Sequence, residues 1–308
     1  MCSSDLNHYE LLGIQKSFQD TSGFVNRTDI VAARTYNRFS WYGRPGALVE
    51  QLTAIVHFAP IWRYHDFGRL HGTIEDTVEN FWIANLRGGW QAQVKLSLNH
   101  FGFEPADYSG YRVGAVPFAV PHDLYHLPGA AFIVNTPNRA VSGSVVVGYS
   151  AAAIFPEASE GRQVAVTTVA ALRPTPALRL EARWVHQRLT HARDGSRFST
   201  ANIPRLKLEY QLTRAIFVRY IGQYFAEDQT ALLDPRTAQP LLVNGDTARA
   251  IVTNVFRNDV LFSYKPTPGT VVFLGYGSSL TEADAFRFRD LTRTADGFFL
   301  KLSYLFRM

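Results

Sequence analysis

Apolar and polar side chains alternate along much of the chain with a period of two residues. In segment 205–212, three charged residues and a glutamine alternate with three leucines and a tyrosine. Segments 91–100, 177–184 and 255–264 alternate in the same way. A period of two places the two sets on opposite faces of a β-strand, whereas an amphipathic helix repeats every 3.6 residues. The pattern therefore predicts strands with one polar and one apolar face.

The alternating segments, bounded by turn-forming residues, predict an all-β fold of about fourteen strands. The expected strands are 7–17, 29–42, 48–62, 69–85, 90–103, 129–136, 140–154, 162–172, 177–189, 201–212, 215–225, 249–264, 270–279 and 297–307. Glycine and proline, which favour turns, are concentrated in several of the intervening segments.

The predicted connections alternate between tight turns and longer polar loops. The tight turns are 43–46, 87–89, 136–138, 173–176, 213–214 and 265–269; the longer loops are 18–28, 104–128, 155–161, 190–200, 226–248 and 280–296, with a shorter one at 65–68. Transmembrane barrels have short periplasmic turns and long extracellular loops. The sequence therefore predicts an antiparallel up-and-down transmembrane β-barrel, one domain over residues 1–308 with both termini in the periplasm.

The energetics of a bilayer predict which face of each strand lines the lumen. A Lys or Arg on the lipid face near the midplane costs roughly 2–4 kcal/mol. We therefore expect the charged residues of the strands to face the lumen, in ladders of mixed sign: Arg179, Glu181, Arg183, Arg205, Lys207, Glu209, Arg219, Arg257, Asp259 and Lys301. Such a lumen is polar and net basic, which favours small anionic or sugar solutes.

Aromatic residues mark the predicted strand ends. Amphipathic rings are enriched where a barrel crosses the two membrane interfaces. The expected interface aromatics are Trp41, Trp62, Trp90, Tyr264, Tyr304 and Phe306. The final residues 298–308 keep an apolar residue at every second position, as in the signal read by the barrel-assembly machinery, although Met308 stands where an aromatic is usual. The expected partners are thus the lipid bilayer and that machinery.

Composition excludes several other classes of protein. The mean hydropathy is −0.08 and charged residues make up 19% of the chain, which is too polar for helical membrane spans. The single cysteine permits no internal disulfide, and the net charge of +5 accompanies no nucleic-acid-binding motif, so no nucleic-acid partner is expected. Residues 1–20 lack a secretory leader, so an outer-membrane location implies the C-terminal fragment of a longer precursor.

Four segments resemble a known family of barrel domains. They are GFVNRTDI at 23–30, RLKLEYQLTRAIFVRYIGQY at 205–224, DVLFSYKPTPGTVVFLGY at 259–276 and FLKLSYLFR at 299–307. Together they resemble the domain-of-unknown-function family 5916, whose barrel follows a module similar to family-9 carbohydrate-binding domains. The resemblance implies a surface or transport protein linked to carbohydrate binding or uptake, with a saccharide as a ligand class. It supplies no catalytic residues.

No catalytic, cofactor or metal motif is recognisable, so a non-enzymatic barrel is favoured. His122 and His126 have helical metal-site spacing, but they lie in a proline-rich segment and are interpreted as loop histidines. His186 and His191 lie in no recognisable catalytic or metal-binding motif either. Two alternatives stay open. An outer-membrane hydrolase requires a Ser-His-acid arrangement at the barrel wall or rim, and a soluble all-β carbohydrate-binding protein requires its apolar faces to be buried between sheets.

Overall fold

A computed structural model describes residues 3–19, 27–69, 72–137, 140–267 and 269–305, and it is almost entirely β-structure. The strands are β1 (Ser3–Ile14), β2 (Ile30–Tyr42), β3 (Val49–Phe58), β4 (Ile61–Arg63), β5 (Glu75–Leu86), β6 (Trp90–Phe101), β7 (Tyr111–Val113), β8 (Val116–Pro117), β9 (Leu124–Asn135), β10 (Val141–Ile154), β11 (Ser159–Thr175), β12 (Leu178–His191), β13 (Arg197–Gln211), β14 (Ile216–Gln229), β15 (Leu241–Val243), β16 (Asp246–Thr247), β17 (Ile251–Thr267), β18 (Thr270–Thr281) and β19 (Thr292–Ser303). The helical turns are α1 (Tyr64–Phe67) and the 3-10 turns Pro105–Tyr108 and Phe155–Glu157. None of the described helices is long and apolar enough to cross a membrane.

Fourteen long strands form one antiparallel sheet in which each strand pairs with its neighbours along the chain. The order is β1-β2-β3-β5-β6-β9-β10-β11-β12-β13-β14-β17-β18-β19, with β4 beside β2 and β5. The predicted all-β, up-and-down antiparallel arrangement is thus confirmed. Among the described residues, β1 pairs only with β2 and β19 only with β18, so the strand pairs do not close the sheet.

The connections at the two ends of the strands differ in length. At one end of the strands, here called the turn edge, lie the connections 43–48, 87–89, 176–177 and 212–215 and the described parts of 136–140 and 268–269. At the other end, the loop edge, lie 102–123, 155–158, 192–196, 230–250 and 282–291 and the described parts of 15–29 and 59–74. The predicted long loops 155–161 and 190–200 are shorter than expected: the observed connections are 155–158 and 192–196, no longer than the turn-edge connection 43–48. β10 and β11 pair as far as Ile154 and Ser159, and β12 and β13 pair as far as Thr190 and Arg197. Strand pairing extends this far because backbone hydrogen bonds do not require an apolar face.

Register assigns the side chains to two contrasting faces. Directly opposed residues of an antiparallel pair share a face, and the face alternates along each strand. By this rule the ten charged residues predicted to line a lumen lie on one face, here called the charged face. The opposite, apolar face carries large hydrophobic residues that are exposed, including Trp82, Leu96, Phe132, Val147, Leu206, Leu274, Leu300 and Leu302.

A separate hydrophobic core lies at the loop edge. The connections 102–123 and 230–250 pair with each other through a small sheet of order β16-β15-β7-β8. This loop core contains Phe103, Tyr108, Phe118, Ile154, Ala158, Phe198, Leu232 and Leu241. Residues of the two longest connections are therefore held in a folded unit on the ends of β10 and β13.

Candidate functional site

Charged residues of opposite sign face each other across the C-terminal strands of the charged face. Arg179 on β12 lies opposite Glu209 on β13, which in turn lies opposite Arg219 on β14. Glu181 lies opposite Lys207. The salt bridges themselves run along single strands, from Arg179 Nη2 to Glu181 Oε2 at 3.0 Å and from Lys207 Nζ to Glu209 Oε1 at 2.9 Å. These four side chains neutralise one another in pairs.

A second neutralised group lies on the same face in the N-terminal half of the sheet. Glu79 on β5 forms a salt bridge with Lys95 on β6 through one carboxylate oxygen. Its other oxygen lies 3.3 Å from His57 Nδ1 on β3. The Lys95 amine lies 5.4 Å from the ring centre of Phe81, a cation–π distance. One acid thus bridges three adjacent strands and fixes their side chains on the charged face.

The predicted interface aromatics are distributed over both edges. Trp41, Trp90 and Tyr264 are exposed at the turn-edge ends of the apolar face, and Tyr304, also exposed, follows β19. Trp62 in β4 is half-buried at the loop edge, where its ring meets Phe67 edge-on at 5.2 Å. Phe306 lies outside the described residues. Whether these rings sit at membrane interfaces stays a prediction.

A Ser-His-Glu chain with a buried His and Glu lies at the loop edge, and sequence reasoning missed it. His191 ends β12, and its side chain is 2% exposed. Its Nε2 lies 2.8 Å from Oε2 of Glu157, whose side chain is fully buried, and its Nδ1 lies 2.9 Å from Oγ of the exposed Ser196. Leu233 N–H donates to Glu157 Oε1 at 2.8 Å, and Phe198 packs edge-on against the imidazole.

The Ser196 hydroxyl has two competing acceptors. It lies 2.6 Å from Asp194 Oδ1, which also accepts the Ser196 backbone N–H at 2.9 Å. These hydrogen bonds from Ser196 lower the pKa of Asp194 to about 2, so the carboxylate is ionised at neutral pH. The other acceptor is His191 Nδ1, provided that Nε2 carries the proton and donates it to Glu157. In that tautomer His191 is placed as a general base for the Ser196 hydroxyl.

A second buried histidine lies beside two acids at the loop-edge end of β6. His100 Nδ1 lies 3.1 Å from Asp76 Oδ2, and His100 Nε2 lies 3.8 Å from Asp123. The Tyr125 ring stacks on the imidazole at 4.2 Å. Asp76 also accepts the Thr73 hydroxyl at 2.8 Å. This group has no exposed nucleophile, and it ties the 59–74 and 102–123 connections to the sheet.

His122 lies in the connection before β9, but His126 lies within β9 rather than in a loop, with its ring 6.4 Å from that of Tyr125. No group of three or more metal-ligating side chains occurs in the described part of the chain. Comparison with known proteins adds no relative, since neither a protein-family model nor a curated protein matches the sequence. The likeness to family 5916 therefore stays an expectation.

Proposed function

We propose that this chain is an outer-membrane β-barrel domain whose charged face lines a lumen for small polar solutes, with anions and sugars as the favoured classes. The observation that carries the proposal is the contrast between the two faces of one long sheet. The charged face holds the ten charged residues named above, whereas the apolar face holds exposed large hydrophobic residues. Lipid is the environment that accommodates such a face without another protein layer.

The exposure of the apolar face favours lipid over a soluble fold. The soluble alternative requires Leu206, Tyr210, Leu300 and Leu302 to be buried between sheets. Instead they are 46%, 44%, 72% and 68% exposed, and Leu208 between them is half-buried. Monomeric soluble proteins rarely expose contiguous apolar patches above a few hundred Å². Exposed large hydrophobic residues lie on this face of every long strand except β14, an arrangement that fits a bilayer far better than water.

Three features support closure of the sheet into a barrel. β1 and β19 each contain 12 residues, and each has one edge without a strand partner among the described residues. Such edges invite aggregation, and joining them removes both at once. The even number of long strands also places Ser3 and Ser303 at the same edge, the turn edge, which corresponds to the periplasmic side in a barrel.

Refolding into lipid vesicles tests the proposal. We expect the protein to insert, to resist proteases over its strands, and to migrate faster on unheated than on heated gels. Planar-bilayer recordings should then show channel events with a preference for anions. Protein that stays fully accessible to protease with vesicles present would overturn the membrane assignment, and inserted protein without conductance would overturn the solute pathway alone.

A second candidate function is an outer-membrane hydrolase, favoured by the Ser196–His191–Glu157 chain. A fluorophosphonate probe tests it, because the probe labels activated serines. We expect Ser196→Ala to abolish labelling and Glu157→Gln to weaken it. Asp194→Asn should preserve or raise labelling, since it removes the competing carboxylate. Ser144→Ala, on the charged face far from the loop edge, is the matched control. Absence of labelling in the folded parent protein would make Ser196 a structural turn residue.

A further inference from the structure

Three arginines form a row across the charged face without acidic partners. Arg183 on β12 lies opposite Arg205 on β13, Arg205 lies opposite Gln223 on β14, and Gln223 lies opposite Arg257 on β17. Like charges placed directly opposite one another destabilise a sheet. In the described part of the chain these arginines form no salt bridge, and the nearby acids Glu181 and Glu209 are already bonded to Arg179 and Lys207. A third acid, Asp259, lies two residues from Arg257 on the same face of β17 but forms no salt bridge with it.

The central arginine of the row has an unsatisfied donor. The Nε atom of Arg205 is buried and has no hydrogen-bond partner in the structure. A buried guanidinium donor left without an acceptor carries a desolvation penalty. Arg183 and Arg257, on either side, are exposed. Three cations with free donors therefore point to a ligand that supplies the missing negative charge.

An apolar strip adjoins the arginine row on its loop-edge side. Two residues along each strand, the same face carries Val185, Ile203, Phe225 and Val255, all half-buried. Two residues further along each strand, the same face carries Gln187, Ala201, Glu227 and Thr253, where the apolar strip ends. The strip is thus an apolar band that lies directly beside the arginine row on the charged face.

We infer that the arginine row and the apolar strip together bind an organic carboxylate with an aryl or short alkyl body. Adjacent strands lie about 4.8 Å apart, and two residues along a strand span about 7 Å, so the headgroup and body of a small ligand reach both rows. Guanidinium groups bind carboxylates through paired, charge-assisted hydrogen bonds. This inference rests on the proposed function, since it needs a charged face open to solutes.

A fluorine NMR titration with 4-fluorobenzoate tests the site in protein refolded into lipid nanodiscs. We expect saturable binding of 4-fluorobenzoate, much weaker binding of the neutral 4-fluorobenzamide, and none of 4-fluorobenzylamine. Acetate, which has no apolar body, should compete poorly. Equal binding of the acid and the amide would overturn the inference, because it would indicate simple partitioning.

Variants separate the site from general surface charge. Arg205→Gln should weaken binding about tenfold or more, the effect of losing a charged hydrogen bond. Arg257→Gln, at an exposed position where folding is little affected, should also weaken it, and Ile203→Thr should do so several-fold. Arg214→Gln, in an exposed turn, is the matched control and should bind normally. Equal losses in Arg214→Gln and Arg257→Gln would contradict a defined site.

The two proposals fail separately in these experiments. Protein that inserts into vesicles but does not bind 4-fluorobenzoate overturns the ligand class and leaves the barrel assignment intact. Protein that never inserts overturns the barrel assignment and, with it, this inference.

Discussion

The protein places the same kinds of hydrophobic residue in two opposite environments. In the loop core, Ile154 is 1% exposed and Leu241 is fully buried. On the apolar face, Phe298 is 79% exposed and Leu300 is 72% exposed. The loop core is therefore stabilised by contacts within the chain, as in a water-soluble protein. The apolar face has few such contacts, so its environment must come from outside the chain, and in our proposal it is lipid.

Residue type alone therefore does not determine whether a hydrophobic side chain is stabilised by packing within the protein or by its surroundings. A leucine in the loop core loses packed neighbours when it is shortened, whereas a leucine facing lipid leaves a gap that acyl chains fill. Substitutions of the same chemistry in the two regions should therefore have different effects.

The largest expected effect is on the loop core. Leu241→Ala removes a fully buried side chain and should destabilise the loop core by about 2–5 kcal/mol. Hydrogen exchange of the β15 and β7 amides, followed in vesicles, measures the loss. The matched control is Leu206→Ala on the apolar face, which should leave this exchange unchanged. Equal effects of the two substitutions would erase the distinction between the regions.

Arginine substitutions at two adjacent positions on β10 test which face of the sheet contacts lipid. Val147 lies on the apolar face and Val146 on the charged face. In lipid, Val147→Arg should cost roughly 2–4 kcal/mol, whereas Val146→Arg should cost much less. Denaturant unfolding from vesicles measures both. A larger penalty for Val146→Arg would indicate that the faces are assigned the wrong way round.

The Tyr108 hydroxyl gives a smaller, pH-dependent effect within the loop core. It donates to the Phe155 carbonyl at 2.6 Å, and burial, aided by Tyr111 and Asp107, raises the pKa of Tyr108 to about 12. Because the folded pKa is raised, its contribution is intact below pH 10 and declines as the pH rises towards 12. Tyr108→Phe should cost roughly 0.5–1.5 kcal/mol at neutral pH and remove that decline. Alkaline titration of loop-edge proteolysis in both proteins provides the measurement.

The smallest expected effect concerns the exposed hairpin turn at Asp194. Hydrogen bonds from Ser196 lower the pKa of Asp194 to about 2. Because the folded pKa is lowered, the contribution is complete above the ordinary value of 3.8 and is lost as the pH falls through about 2. Exchange of the Ser196 amide should accelerate over that range relative to other turn amides. In Asp194→Asn this extra acceleration should disappear, and its persistence would assign the titration to another group.

The sequence predicts the sheet well because alternation is a local signal. All fourteen long strands were predicted near their observed positions, since each carries its own alternation of apolar and polar residues with a period of two. The extensions of β11, β12 and β13 were missed because residues 159–161, 190–191 and 197–200, Phe198 apart, are polar or glycine and show no alternation. Strand pairing of this kind cannot be recognised from the alternation of apolar and polar residues.

The Ser196–His191–Glu157 hydrogen-bonded group could not be predicted because Glu157 is distant from the other two residues in sequence. Glu157 and His191 lie on different elements, 34 positions apart, and meet only when β11 and β12 pair. The pairing of β15 with β7 joins two connections that carry no strand pattern. The arginine row is different, because its residues were recognisable as charged strand positions while their alignment depended on register.

The neighbour-to-neighbour strand order has a kinetic consequence. Apart from the short strand β4, which pairs with β2 and β5, each pair in the main sheet joins long strands that follow one another along the chain. Assembly can therefore proceed as successive hairpins, each forming on a timescale of about 1–10 μs in water. Closure of the proposed barrel would be the exception, because it joins β1 to β19 at opposite ends of the chain. Non-local pairing bears the loop-closure entropy and is slow. The seam between these two strands should therefore form last and open first.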